Sequence, residues 1–144
     1  MMRLHKQKGF TLIEIMVVVV ILGILAAMVL PKILSRPDQA KITVARSDIE
    51  TISQALELYR LDNGFYPSTD QGLEALAKKP SMSPEPRNWN PDGYLKKTPV
   101  DPWGNPYLYV QPGSHGKYDV YSLGPQGHQG EKDSKDTIGN WEPK

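Results

Sequence analysis

The strongest feature of the hydrophobic pattern is an apolar run over residues 10–30, in which Glu14 is the one ionisable side chain. Such a run can cross a bilayer, because about 20 apolar residues in a helix span a hydrocarbon core of about 30 Å. Arg3, Lys6 and Lys8 precede it, and a basic flank indicates the cytoplasmic side. The pattern therefore predicts a single transmembrane helix with a cytoplasmic N-terminus and an exported C-terminal part.

A second pattern begins after the polar residues 35–38, which interrupt the apolar run. Apolar and aromatic residues then recur at spacings of four and three, which put them on one face of an amphipathic helix lying on a soluble domain. They are Ala45, Ile49, Ile52, Leu56 and Tyr59. Asn63 and Gly64 form a stop signal, because glycine readily adopts the left-handed conformation that ends many helices. A coiled coil is the alternative, but only two heptads favour it.

Capping and turn signals follow this helix. Ser68 and Gln71 form a capping-box pattern, which predicts a short helix that opens there and runs through Leu76. Pro80 is expected to end it, since proline cannot donate the next backbone hydrogen bond. A proline-rich loop at residues 80–91 comes next.

Short runs rich in tyrosine, at residues 94–95, 107–110 and 118–121, predict β-strands separated by turns that contain proline and glycine. Together with the helical patterns they predict an α+β fold, in which a long N-terminal transmembrane and amphipathic helix packs on a small antiparallel sheet. The tryptophans are expected to fill the core, because a large aromatic among turns is more often structural than functional. They are Trp89, Trp103 and Trp141.

The composition argues against several classes of function. Lys and Arg total 17 against 16 Asp and Glu, so the net charge of +1 gives no reason to expect nucleic acid as a partner. The chain has no cysteine, which excludes disulfides, thiolate metal sites and a cysteine nucleophile. His5, His115 and His128 form no zinc-binding pattern, and no Gly-rich phosphate loop follows a predicted strand. We therefore do not expect an enzyme.

The junction between the basic leader and the apolar run indicates the class of protein. A conventional secretory signal would have a polar exit after its apolar core, whereas Ala27 is followed by further apolar residues. A plain membrane anchor leaves Gly9, Phe10 and Glu14 without a role. Residues 9–14, with the sequence GFTLIE, resemble the cleavage motif of type IV prepilins and pseudopilins. The resemblance implies that a prepilin peptidase cuts after Gly9 and methylates the new amino group of Phe10.

Glu14 is the most informative residue of the apolar run, because an ionisable side chain among lipids is costly and usually serves a function with a partner. Snorkelling to the nearby membrane interface is the simple alternative. The resemblance to pilins implies that Glu14 pairs with the amino group of Phe10 in a neighbouring subunit. Such a pair would set the axial register of a filament, since either charge left alone in a dry environment is strongly unfavourable.

Four further runs look like the sequence marks of one branch of these proteins, the major pseudopilins of type II secretion systems. They lie at residues 58–63, 66–73, 101–104 and 138–141. The resemblance implies a pilin-like fold and a periplasmic filament, anchored in the bacterial inner membrane, that helps to export folded proteins. The partners it implies are further copies of the chain, the prepilin peptidase, minor pseudopilins and the inner-membrane assembly platform.

These expectations divide the chain into four segments. Residues 1–9 form a cleaved leader, 10–30 the transmembrane and filament-core helix, 31–64 its amphipathic continuation, and 65–144 the periplasmic domain. Two alternatives stay open, namely a type IV pilin for adhesion, motility or DNA uptake, and a minor pseudopilin. Glu14 favours a repeated subunit, because a subunit at a filament tip has less need of the same lateral contacts.

The C-terminal loop, residues 123–137, is the candidate metal site. It is rich in glycine and acidic residues, and Ca²⁺ takes six to eight oxygens from carboxylates, amides and backbone carbonyls. From composition alone, a solvated polar loop is the alternative. Gln126 and Thr137 stand where the family has aspartates, so fewer negative charges are expected to weaken binding. The ligands that the family resemblance implies are Leu123, Gln126, Asp133 and Asp136.

Overall fold

The computed structural model describes residues 8–129, 132 and 134–141, without the side chains of 29–36 and 128–129. Its elements are helix α1 (Leu12–Asn63), helix α2 (Glu74–Ala77), strand β1 (Leu108–Val110), strand β2 (Asp119–Ser122), a 3-10 segment (Gly124–Gln129) and strand β3 (Ile138–Gly139). The chain divides into two compact units, Met1–Asp38 and Gln39–Lys144. Most of the predicted leader, residues 1–7, lies outside the described part.

The first unit contains the N-terminal part of α1. Every large apolar side chain between residues 10 and 28 is at least 49% exposed. A large apolar surface of this kind requires cover from lipid or from other protein. In the described parts of the chain, no helix combines the length and the apolar character that crossing a membrane requires.

The polar residues 35–38 interrupt the apolar run but not the helix, because α1 is continuous from Leu12 to Asn63. Pro31 and Pro37 each lack a backbone donor, which weakens a helix locally and bends it more often than it ends it. Polarity by itself does not end a helix either, since arginine and serine both have ordinary helix propensities. The predicted long helix therefore continues through the polar residues.

The amphipathic part of α1 lies in the second unit and behaves as predicted. The five residues of the predicted apolar face are between 0% and 4% exposed, and all belong to the hydrophobic core. The stop signal is also confirmed. Gly64 has a φ of 85°, and its N–H donates to the carbonyl of Arg60 at 2.7 Å.

The sheet has three antiparallel strands in the order β1-β2-β3. Leu108 pairs with Tyr121, and Tyr121 pairs with Gly139 on the other side. The predicted α+β fold with a small antiparallel sheet is confirmed, and two of its strands lie where the tyrosine-rich runs predicted them. The third strand, β3, was not predicted, because two residues are too few to show an alternating pattern.

The predicted strand at residues 94–95 is wrong. The N–H groups of Tyr94 and Leu95 both donate to the carbonyl of Leu76, at 2.8 and 3.0 Å, so this segment closes the end of α2. Gly93 makes this approach possible, because a Cβ there would lie 3.6 Å from that carbonyl oxygen and 3.3 Å from the carbonyl oxygen of Leu95. Its φ of 75° also favours glycine.

The capping box is present, but it does not start a helix where the sequence predicted one. The Ser68 N–H donates to the Gln71 side-chain oxygen at 2.9 Å, and the Gln71 N–H donates to the Ser68 hydroxyl at 3.2 Å. Gly72 then takes a φ of 62°, which no right-handed helix contains, and α2 begins at Glu74. The box therefore closes a turn.

Tyrosine hydroxyls tie the sheet and its loops to α1. Tyr107 donates to the carboxylate of Asp48 at 2.7 Å, and Tyr66 donates to that of Glu57 at 2.6 Å. Burial, together with the hydrogen bond to Glu57, raises the pKa of Tyr66 to about 12. These hydroxyls therefore stay protonated donors at neutral pH.

Two of the three tryptophans pack against the core, as predicted. Trp89 is partly buried, and its indole N–H donates to the carbonyl of Ala75 at 2.8 Å. Trp103 is also partly buried. The prediction is wrong for Trp141, which stacks on the His115 ring instead, with ring centroids 4.0 Å apart. Gly139 leaves room for it, because a Cβ there would lie 2.5 Å from the Trp141 ring.

The contrast between buried Leu56 and exposed Leu58 on α1 gives a matched test of the core. We expect Leu56→Ala to lower the free energy of unfolding by about 2–5 kcal/mol, through lost burial and a cavity. Leu58→Ala should change it by less than about 0.5 kcal/mol. Urea unfolding of the detergent-solubilised protein checks both, and equal losses would contradict the assigned face.

Candidate functional site

The cleavage motif lies close before α1. Gly9 and Phe10 have no regular secondary structure, and Phe10 is 80% exposed. A Cβ added to Gly9 would meet no heavy atom within 4 Å. Nothing in the described structure therefore requires glycine at this position, and both residues of the junction are open to an approaching enzyme.

Glu14 lies in the first turn of α1, where the helix dipole favours a carboxylate. Its backbone N–H donates to the Thr11 hydroxyl at 3.3 Å, so Thr11 caps the helix. Sequence reasoning missed this cap, although Thr11 and Glu14 have the spacing of a capping box. The cap places the exposed Glu14 side chain one helical turn from the predicted new N-terminus.

The candidate metal loop brings two of its four predicted ligands together. The Gln126 side-chain amide donates to a carboxylate oxygen of Asp136 at 3.1 Å. Gly124 has a φ of 72°, and a Cβ there would lie 2.5 Å from the Asp136 carbonyl oxygen. The residue that follows Leu123 thus lies directly against Asp136, while Asp133 lies outside the described residues.

These residues carry oxygens of the kind that a hard cation takes as ligands. Asp136 supplies a carboxylate, Gln126 can present its amide oxygen after a rotation, and Leu123 has a backbone carbonyl. Calcium accepts neutral oxygens, but its affinity follows the number of charged ligands. Over the described residues, His, Cys, Asp and Glu side chains form no group of three or more that could hold a metal.

Asp101 holds the base of this loop, a role that sequence reasoning did not assign. One carboxylate oxygen accepts the N–H groups of Trp103 and Asn105, at 3.1 and 2.8 Å. The other accepts the hydroxyl of Ser122 at 2.7 Å, and this hydroxyl in turn accepts the N–H of Gly124 at 3.0 Å. An aspartate that precedes proline and glycine is the signal that marks such a turn.

Asp119 in β2 is a second buried carboxylate, and its side chain is 0% exposed. Its carboxylate accepts the backbone N–H of Ser114 at 2.9 Å and that of His115 at 3.2 Å. The His115 ring lies 3.1 Å away. The Lys132 ammonium donates to the Asp119 carboxylate at 2.7 Å. An acidic residue inside a tyrosine-rich strand was the sequence signal for this cluster.

The pKa of Asp119 shows which effect dominates in this cluster. Burial acts to raise the pKa, but the Lys132 ammonium and the N–H donors outweigh it and lower the pKa to about 2. The carboxylate is therefore charged at neutral pH, and its charge is compensated by groups from two separate segments of the chain.

Asn140 completes the sheet beside this cluster. Its side-chain oxygen accepts the N–H of Val120 at 3.0 Å, and its side-chain amide donates to the carbonyl of Tyr118 at 3.1 Å. Its backbone N–H donates to the Val120 carbonyl at 3.0 Å. The residues at 138–141 are thus accounted for by pairing with β2 and by packing of Trp141.

Comparison with known proteins agrees with this architecture. The model of the prokaryotic N-terminal methylation motif matches residues 4–30, and that of type II secretion system (T2SS), protein G, matches residues 32–141. The crystal structure of the major pseudopilin from the type 2 secretion system of enterohaemorrhagic Escherichia coli has a TM-score of 0.68. It is 42% identical, covering 75% of this chain and 88% of that one.

Two curated relatives match almost end to end. The type II secretion system core protein G of Pseudomonas aeruginosa is 64% identical over 141 residues, covering 98% of this chain and 99% of that protein. The core protein G of Vibrio cholerae is 52% identical over 141 residues, covering 98% and 96%. A methylation motif that includes the start of a long helix, whose later part packs on a small sheet, defines a pilin-like protein. More narrowly, the chain belongs to the type II secretion system protein G family.

Proposed function

We propose that this protein is the structural subunit that polymerises into the periplasmic pseudopilus of a type II secretion system and so drives export of folded proteins. The observation that carries the proposal is the exposed apolar part of α1, which lies within the region that the methylation motif matches. A surface at least 49% exposed at every large apolar residue needs cover. The names of the relatives support a core subunit over a type IV pilin or a minor pseudopilin.

Before assembly, we infer, lipid provides this cover. The apolar run at 10–30 and the basic residues before it support a single pass through the inner membrane, with the N-terminus in the cytoplasm and the C-terminal domain in the periplasm. After extraction into a filament, the same surface packs against other copies. The platform, the minor pseudopilins and the prepilin peptidase are the further partners of this proposal.

In this proposal, the charge of Glu14 sets the axial register of each subunit in the filament. Glu14 lies in the first turn of α1, four residues after Phe10, so its carboxylate and the new amino group of Phe10 lie close together in the chain. A carboxylate in an apolar packing environment requires a partner, because an unpaired charge there is costly. Pairing with Phe10 of a neighbouring copy satisfies both groups and selects one axial position.

Secretion in a strain that lacks the gene tests this proposal. The wild-type gene should restore export of secreted enzymes, whereas Glu14→Leu should reduce filament yield and export at least about tenfold, because the register-setting charge is lost. Glu14→Asp keeps the charge and serves as the control. Sheared-filament and culture-supernatant assays measure both effects. Normal filaments from Glu14→Leu would favour snorkelling, and normal export without the gene would contradict the proposed function.

Processing gives a second test. We expect mass spectrometry of membrane-derived protein to show a methylated N-terminus at Phe10. Gly9→Val should leave the full-length precursor, because the described fold tolerates a Cβ there and the requirement for glycine then lies with the peptidase. Gly23→Ala is the matched control, since a Cβ there also meets nothing within 4 Å. Efficient cleavage of Gly9→Val, or a cut near Ala27, would contradict the assignment.

We further propose weak Ca²⁺ binding at the C-terminal loop, through Leu123, Gln126, Asp133 and Asp136. The 3.1 Å contact between Gln126 and Asp136 supports it, because the two side chains already face each other. Neutral oxygens in place of carboxylates reduce affinity, so binding should need a higher calcium concentration than in relatives with more acidic loops.

Calcium titration checks this site. The Tm of the purified mature protein should rise with added Ca²⁺ and fall with a chelator, because a ligand that binds only the folded state stabilises it by mass action. Asp136→Ala should abolish the response. Asp92→Ala, at an exposed position outside the loop, should keep it. A Tm that ignores both calcium and chelator would exclude the site.

A further inference from the structure

The C-terminal loop contains a contact to the domain that involves none of the candidate metal ligands. The Lys132 ammonium donates to the Asp119 carboxylate at 2.7 Å and to the Ser114 hydroxyl at 3.3 Å. It also lies 5.4 Å from the centre of the Tyr121 ring. Lys132 is 27% exposed at its side chain, while Asp119 is fully buried.

We propose that Lys132 is a built-in cation that holds the C-terminal loop on the domain without metal. Asp119 is the fixed half of this clamp, because it belongs to β2 and accepts two N–H groups from the turn at 114–115. Lys132 is the half contributed by the loop. The clamp thus fastens the loop by a route independent of calcium binding and of polymerisation.

The geometry supports a role in positioning rather than a chance surface contact. An ion pair between exposed side chains contributes little, since water screens it and both side chains lose entropy. Here one partner is completely buried, so removal of the ammonium leaves an uncompensated charge inside the domain, which is strongly destabilising. The Tyr121 ring adds a further favourable surface for a cation.

The clamp and the candidate calcium site lie on the same loop but use different groups. Gln126 and Asp136 contact each other, and Gly124 is held through Ser122 by Asp101. Lys132 lies between Gln126 and Asp136 in the chain, but it binds a different carboxylate, that of Asp119. Among its described residues the loop is thus held to the domain through Asp101 and through Asp119, and the second contact uses a cation that the chain itself supplies.

A pair of lysine variants tests the clamp in the mature protein in detergent. In chelator, Lys132→Met should lower the Tm by about 5–10 °C, because it strands the buried charge of Asp119. It should also speed proteolytic cleavage within residues 123–141. Lys135→Met is the matched control, since Lys135 is exposed in the same loop, and it should change neither quantity. Equal behaviour of the two variants would overturn the proposal.

A double-variant cycle keeps the test decisive if the single variants fold poorly. Asp119→Asn keeps the shape of the side chain and one acceptor oxygen, but it loses the other acceptor and the charge that Lys132 compensates. The Tm loss of the double variant should be smaller than the sum of the two single losses. Additive losses would show that Lys132 acts elsewhere and would overturn the clamp. Secretion assays are not involved, so this outcome is separate from that of the proposed function.

Discussion

The packing of one face of α1 against the sheet is the constraint on which the rest of the second unit depends. The buried face of the helix, which includes Ala45, Leu56 and Tyr59, packs with the strand residues Tyr109, Val120 and Ile138 in one hydrophobic core. The strands are only two to four residues long, so their own ladders contribute few hydrogen bonds. The small sheet is therefore stable because it packs against the helix.

Two buried carboxylates hold in place the loops that lie outside this core. The chain has 13 prolines and 12 glycines and no disulfide, so its long loops need other fastenings. The Asp101 carboxylate accepts hydrogen bonds from the turn at 103–105 and from Ser122. The Asp119 carboxylate accepts hydrogen bonds from the turn at 114–115 and from Lys132. A charged acceptor suits this task, because one carboxylate accepts several N–H groups at once and each such bond is strong.

Where sequence reasoning failed, a contact from a distant segment had overridden a local signal. The capping box at Ser68 was read correctly as a pair of hydrogen bonds, yet Gly72 turns the chain before α2 begins. The Gln71 side-chain amide also donates hydrogen bonds to the carbonyls of Met82 and Pro84. Residues 94–95 read as a strand because of their composition, but the carbonyl of Leu76 takes their N–H groups.

By itself the sequence determined the class of protein, the apolar run, the buried face of α1 and its end at Asn63, because these depend on periodicity and on residues close in the chain. It also predicts a cleavage junction at Gly9 and Phe10, because the signal for it lies in neighbouring residues. Only the tertiary structure decided that Asp119 meets Lys132 and that Asp101 meets Ser122. Such pairs join residues 13 and 21 positions apart, and no local pattern specifies which distant partner a buried charge will find.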